Sequence, residues 1–431
     1  MSFLWDKPGV AADAAVMEFL AGDDVVQDRA LLPYDADATA AHARGLARIG
    51  LLTHDDAAAI GRELAALKAD FARGDFVLDA RYEDGHTAIE ARLTERLGDL
   101  GRRVHAGRSR NDQVQTALRL YMKDALVHLR GASARAGDAC LSRAREGEAL
   151  PMPGYTHLQR AVPSSVGLWM AAFAEAFADD ADAARAAHEL VDASPLGAAA
   201  GYGVNLPLDR AGVARDLGFA RIQVNPMAAQ NSRGKLELLA LAPLEQAMLD
   251  VRRLSWDLSL FATAEVGFVE LDRAFVTGSS LMPNKRNPDA VELLRAQWAV
   301  VAGARAEIAG VLSLPSGYHR DLQATKGPFL RAFGASLRAL DLVPRVVATM
   351  RLDARRMRAA ISDECFATDA AVDLAARGVP FRDAYADVAA RVSRGEITGD
   401  PAESLRARVS PGACADLCLD AIAARLAAHT A

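Results

Sequence analysis

Lysine is the scarce residue of this 431-residue chain: Lys7, Lys68, Lys123, Lys235, Lys285 and Lys326 are six of its 50 basic residues. The rest are arginines and carry the generic surface charge, so each lysine is a better functional candidate than usual. Cysteine is scarce as well. Four cysteines (Cys140, Cys365, Cys414 and Cys418) are too few for a disulfide scaffold, and a reduced, cytoplasmic setting fits them. Cys414 and Cys418 are expected four apart on one helix, with no nearby histidine or second cysteine pair to complete a zinc site. Aromatics are 6% of residues, and alternating Val/Ile/Thr segments are almost absent, which argues against extensive sheet. No apolar run nears the roughly 18 residues of a membrane span; that of residues 166–174 stops at Glu175. Residues 1–10 lack the basic and apolar regions of a signal peptide. The net charge is −6 and no long basic run exists, so nucleic-acid binding has no electrostatic footprint.

What is present is a chain with 51% hydrophobic and 25% charged residues, enough to bury a real core. At roughly 150 residues per domain, its length suggests about three domains. Alanine and leucine, both helix formers, dominate the long segments. From Leu244 the apolar positions run Met248, Val251, Leu254, Leu258, Phe261 and Ala262, a bundle-type stripe. Long helices are expected over residues 111–145, 164–190, 235–266 (interrupted by Pro243) and 288–312. Breaks rich in Gly, Pro and Asn predict an N-terminal helical domain over 1–105, a central long-helix bundle over 106–350 and a small C-terminal helical domain over 351–431. A short hairpin is expected only within 197–208.

Four loops concentrate polar chemistry. Gly278-Ser279-Ser280-Leu281-Met282-Pro283-Asn284-Lys285-Arg286-Asn287-Pro288-Asp289 joins two helical patterns and is crowded with donors. Pro288 and Asp289 read as the first turn of the next helix, whose positive end suits a carboxylate or phosphate. Gly154-Tyr155-Thr156-His157-Leu158-Gln159 offers a histidine near an expected helix start, able to trade protons near neutral pH. His105-Ala106-Gly107-Arg108-Ser109-Arg110-Asn111-Asp112-Gln113 places arginines and a capping residue at a helix N-terminus. Tyr318-His319-Arg320-Asp321-Leu322-Gln323-Ala324-Thr325-Lys326 converges Tyr318, Gln323 and Lys326 if partly helical. A lesser cluster, Glu83-Asp84-Gly85-His86 with Glu90, sets His86 and Glu90 on one helix face without a third metal ligand. Phosphate-loop, dinucleotide and nucleophile-elbow signatures are absent. Together these loops read as a cofactor-free, metal-free site for a polycarboxylate, with proton-transfer chemistry.

The loop at 278–289 resembles the signature loop of the fumarase/aspartase superfamily. The stretches at 107–113 and 154–159, with Tyr318, Asp321, Gln323 and Lys326, narrow the resemblance to the argininosuccinate lyases, over nearly the whole chain. That resemblance implies an all-α, three-domain fold whose central bundle forms a tetrameric helical core, with sites shared between subunits. It implies reversible β-elimination of argininosuccinate to arginine and fumarate. His157, Ser279, Lys285 and Glu292 are then the catalytic group; Ser279 is favoured as proton acceptor and His157, polarised by Glu292, as donor, with the opposite assignment open. Asn111, Thr156, Asn287, Tyr318, Gln323 and Lys326 are the implied substrate contacts.

Two stretches depart from the family pattern. The N-terminus reads Leu4-Trp5-Asp6-Lys7-Pro8-Gly9, and the family's substrate-contacting serine falls on Asp24, which can repel a carboxylate or hold an ammonium. The family's acidic stretch reads Gln230-Asn231-Ser232-Arg233-Gly234 here. Other superfamily lyases and the non-enzymatic lens crystallins of the same fold are the competing readings; fumarate release from each substrate separates them.

Overall fold

The computed structural model describes residues 14–429, so the departure at residues 4–9 lies outside the described residues. The protein forms two compact units, each drawn from separate stretches of chain. The first takes the chain up to Val127, Ala186–Ala242 and Gly303–Phe333; the second takes His128–Arg185, Pro243–Ala302 and the chain from Gly334 onward.

In the first unit, a short helix α1 (Asp24–Asp28) precedes α2 (Leu32–Arg48), α3 (His54–Arg73) and α4 (Gly85–Leu97). A reciprocal cap starts α3: Thr53 Oγ1 accepts from the Asp56 amide at 3.0 Å, and the Asp56 carboxylate accepts from the Thr53 amide at 2.9 Å. Gly74 ends it at φ +82°, where a side chain is disfavoured. Ala57, Ile60, Leu64 and Leu67 follow a three–four–three spacing that turns one face of α3 inward. They bury with Leu46 and Leu93, each large side chain contributing roughly 1.5–3 kcal/mol. Gly101 allows a backbone to approach closely, because a Cβ there would meet the Leu93 carbonyl group at 2.3 Å.

The expected long helices form as α5 (Arg110–Glu146), α6 (Val166–Val191), α7 (Lys235–Phe261) and α8 (Asp289–Val311). Pro243 lies inside α7, which runs on through it from Lys235 to Phe261. Leu244, Met248, Val251, Leu254 and Leu258 are all buried, while Trp256 and Leu260 on the same helix are exposed. Further on, α9 (Lys326–Leu340), α10 (Ala367–Ala376) and α11 (Phe381–Ser393) continue the helical pattern; Phe366, Ala371, Val388 and Ile397 form a small core in the second unit. The fold is all-α, with a few short strand pairs among the described residues.

Three local expectations are corrected. The hairpin lies at 151–165, not within 197–208. Strands β1 (Pro151–Thr156) and β2 (Gln159–Ser165) pair antiparallel, with an irregularity between Pro153 and Tyr155. In 197–208 the backbone serves a different purpose: the Gly197 and Ala199 amides donate to Asp112 Oδ2 at 3.0 and 2.8 Å, so they are unavailable to a partner strand. His157 therefore stands in a two-residue hairpin turn with Leu158, at φ +55° and +59°, rather than at a helix start. The helix expected to carry both Cys414 and Cys418 starts later: Cys418 caps the helix Leu419–Ala427 at φ +51°, and Cys414 precedes it in a turn.

Candidate active site

Within the first unit, Asn111, Tyr318, Gln323 and Lys326 line one cavity, together with Asp24 and Asp28. A 3-10 turn over Arg320–Thr325 leads into α9 and brings Tyr318, Gln323 and Lys326 together, which realises the expected convergence. Lys326 is 4% exposed. Its ammonium lies 2.6 Å from Asp28 Oδ1 and 2.8 Å from Asp24 Oδ1. Burial opposes its charge, but the two carboxylates outweigh burial and hold its pKa above the ordinary lysine value. Asp28 is fully engaged, since its Oδ2 accepts the Gly85 amide at 2.8 Å. Asp24 behaves differently: burial raises its pKa despite Lys326. The Gln323 amide donates to Leu20 O at 3.0 Å, which ties the chain ahead of α1 to this wall. The Arg233 guanidinium stacks 5.4 Å from the Tyr318 ring centre.

The arginines at the start of α5 are already committed. Arg108 is buried and donates to Thr39 Oγ1 at 2.9 Å. Arg110 lies 3.0 Å from Glu83 and 3.2 Å from Asp84 and lines the cavity. Asp112 accepts from the Ser109 amide at 2.9 Å, closing the first turn of α5. His86, which the sequence pairs with Glu90 on the face of α4, instead holds Asp35 at 2.5 Å. Burial disfavours an imidazolium there, but Asp35, with Asp84 and Asp28, lifts the His86 pKa to about 9.

The remaining candidates belong to the second unit. Strands β3 (Thr277–Gly278) and β4 (Arg286–Asn287) pair antiparallel and hold the donor-rich loop between them. Thr277 bonds to the carboxylate of Asp289, the first residue of α8, and closes the loop base. Ser279 Oγ accepts from the Leu281 and Met282 amides at 3.2 and 3.0 Å, a local turn that leaves its proton to donate. Lys285 is exposed on the same loop, and Asn287 is half-buried in β4. Thr156 and His157 sit on the exposed tip of the β1–β2 hairpin. Glu292, in the first turn of α8, faces Arg295 at 3.6 Å. The chain thus groups Ser279, Lys285 and Asn287 on one hairpin and Thr156 with His157 on another. It shows no bond between His157 and Glu292 among the described residues.

Of the charged cavity lining, Asp28 is the residue that sequence reasoning missed; Asp84, Arg110 and Arg233 lie in stretches the sequence singled out, without a place at this cavity. The rarity of lysine pointed to Lys326 but not to its partners.

The chain matches the family described as Lyase over residues 8–303. It is 56% identical over 422 residues to an argininosuccinate lyase of Stenotrophomonas maltophilia (strain K279a), covering 98% of each chain. It is 55% identical over 424 residues to an argininosuccinate lyase of Xanthomonas campestris pv. campestris (strain B100), again covering 98% of each. Among solved structures, an EDDS lyase in complex with formate superposes with a TM-score of 0.82 at 24% identity, over 98% of this chain and 91% of that one. A class II fumarase from Schistosoma mansoni superposes with a TM-score of 0.74 at 16% identity, over 90% and 94%. These two likenesses concern the fold.

Proposed function

The chain belongs to the argininosuccinate lyases of the fumarase/aspartase superfamily, and on that premise we propose how its residues divide the work. The reaction is the reversible β-elimination of argininosuccinate to arginine and fumarate, a step of arginine biosynthesis. The near-complete alignment at 56% identity carries this reading.

The physical problem is to remove a proton from the carbon beside a carboxylate. The carbon–hydrogen electron pair becomes the fumarate double bond; the carbon–nitrogen bond breaks, and its pair stays on the guanidino nitrogen, which takes up a proton. The intermediate is an aci-carboxylate that fixed donors must stabilise. Ser279 takes the carbon-bound proton. Its hydroxyl is a poor base unless the alkoxide is stabilised, which Lys285 and the positive end of α8 do. Lys285 and Asn287 hold the succinyl carboxylates. His157, polarised by Glu292, protonates the leaving nitrogen. Asn111, Thr156 and Tyr318 position the substrate, and Gln323 and Lys326 face its amino-acid end. Lys326 has three N–H groups; two meet Asp24 and Asp28, leaving one for a substrate carboxylate.

The protein works as a cytoplasmic homotetramer in which three subunits build each site. Apolar side chains left exposed in the single chain support this: Trp256 and Leu260 on α7, Leu293 on α8, and Leu158, 75% exposed beside His157. No helix among the described residues is long and apolar enough to cross a membrane. The division near residues 105 and 350 belongs to the same reading. The test is direct: purified protein incubated with argininosuccinate should generate the ultraviolet absorbance of fumarate. A folded protein that forms no fumarate overturns the reading.

A further inference from the structure

A second cavity of the first unit, of about 200 Å³, lies against the stretch at 230–234 that departs from the family pattern. Gln230, Asn231 and Arg233 line it, with Ser316 and Gly317 from the turn that leads into Tyr318; leucines supply its apolar wall. Its lining holds one formal charge, the Arg233 guanidinium, and no carboxylate. Arg233 is 8% exposed and makes no ion pair among the described residues. Burial lowers its pKa, against the opposing pull of Glu237, Tyr318 and Asp24. Gln230 is 2% exposed, and its Nε2 amide finds no acceptor among the described residues. Asn231 Oδ1 accepts from the Gly317 amide at 2.9 Å, and its Nδ2 donates to Ser316 Oγ at 3.2 Å. That pair of bonds fixes the turn and leaves the Ser316 hydroxyl its own proton to donate.

A buried donor without an acceptor is costly, and a buried cation without a counter-ion more so. A small anion answers both: it accepts from Gln230 Nε2 and the Ser316 hydroxyl and neutralises Arg233 through charge-assisted bonds. The volume is below the roughly 300–1,000 Å³ of pockets for drug-sized ligands, which sets the anion at the size of inorganic phosphate. Arg233 also lines the substrate cavity, where it stacks 5.4 Å from the Tyr318 ring centre. One guanidinium therefore serves two cavities. An anion that draws it to the second cavity weakens the stack, and Tyr318, next to Gly317 in the same turn, loosens its hold on the substrate. That coupling rests on the role given to Tyr318 in the function proposed above; binding of the anion does not.

We propose that the cavity of Gln230, Arg233 and Ser316 binds a small oxyanion of the phosphate class, and that its occupancy weakens substrate binding through Arg233 and Tyr318.

The test titrates inorganic phosphate into the assembled enzyme by calorimetry, and measures fumarate release from argininosuccinate in phosphate and in chloride at matched ionic strength. Wild type should bind phosphate, and its KM should rise by about twofold or more and then level off, because a coupling between two sites saturates where competition for one site does not. Gln230→Leu removes the donor: phosphate affinity should fall by about tenfold or more, and KM should equal that of wild type in chloride and ignore phosphate. Gln230→Glu supplies the anion permanently: KM should already stand at the phosphate-saturated level and respond no further. If one variant fails to fold, the other carries the comparison. A KM that climbs without limit, alike in wild type and variants, shows phosphate occupying only the substrate's carboxylate site and overturns the proposal. Absence of phosphate binding to wild type, or binding that both variants leave unchanged, overturns it as well. Phosphate binding that the variants abolish but that never moves KM upholds the site and overturns the coupling. A wild type that releases no fumarate overturns the lyase reading, while calorimetry still decides the anion site.

Discussion

His86 Nδ1 lies 2.5 Å from Asp35 Oδ2, and both side chains are nearly enclosed, at 10% and 2% exposure. The folded His86 pKa of about 9 stands above the ordinary 6.5. A raised pKa contributes stability that is complete below about pH 6.5 and disappears as pH rises to about 9. The lift corresponds to roughly 3 kcal/mol. Urea denaturation of wild type should show resistance falling over that window, and His86→Gln should flatten the fall. Equal slopes in the two proteins would remove the pair from the account.

Ser279→Ala should fold normally and lose several orders of magnitude in turnover. Among the described residues the hydroxyl accepts only from amides of its own exposed loop, so little of the fold depends on it. Circular dichroism and a fumarate assay on one preparation check both halves. Near-normal turnover in the folded variant sinks the proton-acceptor role.

Lys326→Met leaves Asp24 and Asp28 without their shared cation. Removing one partner of a buried ion pair costs about 3–5 kcal/mol. A lower denaturation midpoint and a raised KM are both expected. Unchanged values of each would make Lys326 irrelevant to the cavity.

Shared sites predict complementation. Mixing inactive His157→Asn and Ser279→Ala subunits through unfolding and reassembly gives each site an even chance of receiving each intact residue. About one quarter of wild-type activity should return in a closed oligomer. A reassembled tetramer without recovered activity rejects sharing, and a monomer in solution rejects the assembly.

The long helices were legible because their apolar spacing is local. The stripe from Leu244 to Leu258 is buried as read, in a helix that also contains Pro243. The β1–β2 hairpin was not legible: its turn is His157-Leu158, with no glycine, and Pro151, Pro153 and Pro163 read as loop. The stretch 197–208, where a hairpin was expected, instead turns the amides of Gly197 and Ala199 onto Asp112. The donor-rich loop was recognisable from composition, and so was the isolation of Lys326. The partners of that lysine were not, because Asp28 lies 298 positions away in the chain. A pattern of neighbours carries no trace of such a pairing.

The left-handed pair at His157 and Leu158 sets two selective pressures against each other at adjacent codons. Each residue costs on the order of 1–3 kcal/mol where glycine would cost little. Drift toward a sturdier molecule favours glycine at both positions. At 158 the chain can accept that change on backbone grounds, whereas at 157 the same change removes the imidazole. Resistance to heat and competence in chemistry are thus inherited through neighbouring positions that respond to the same substitution in different ways.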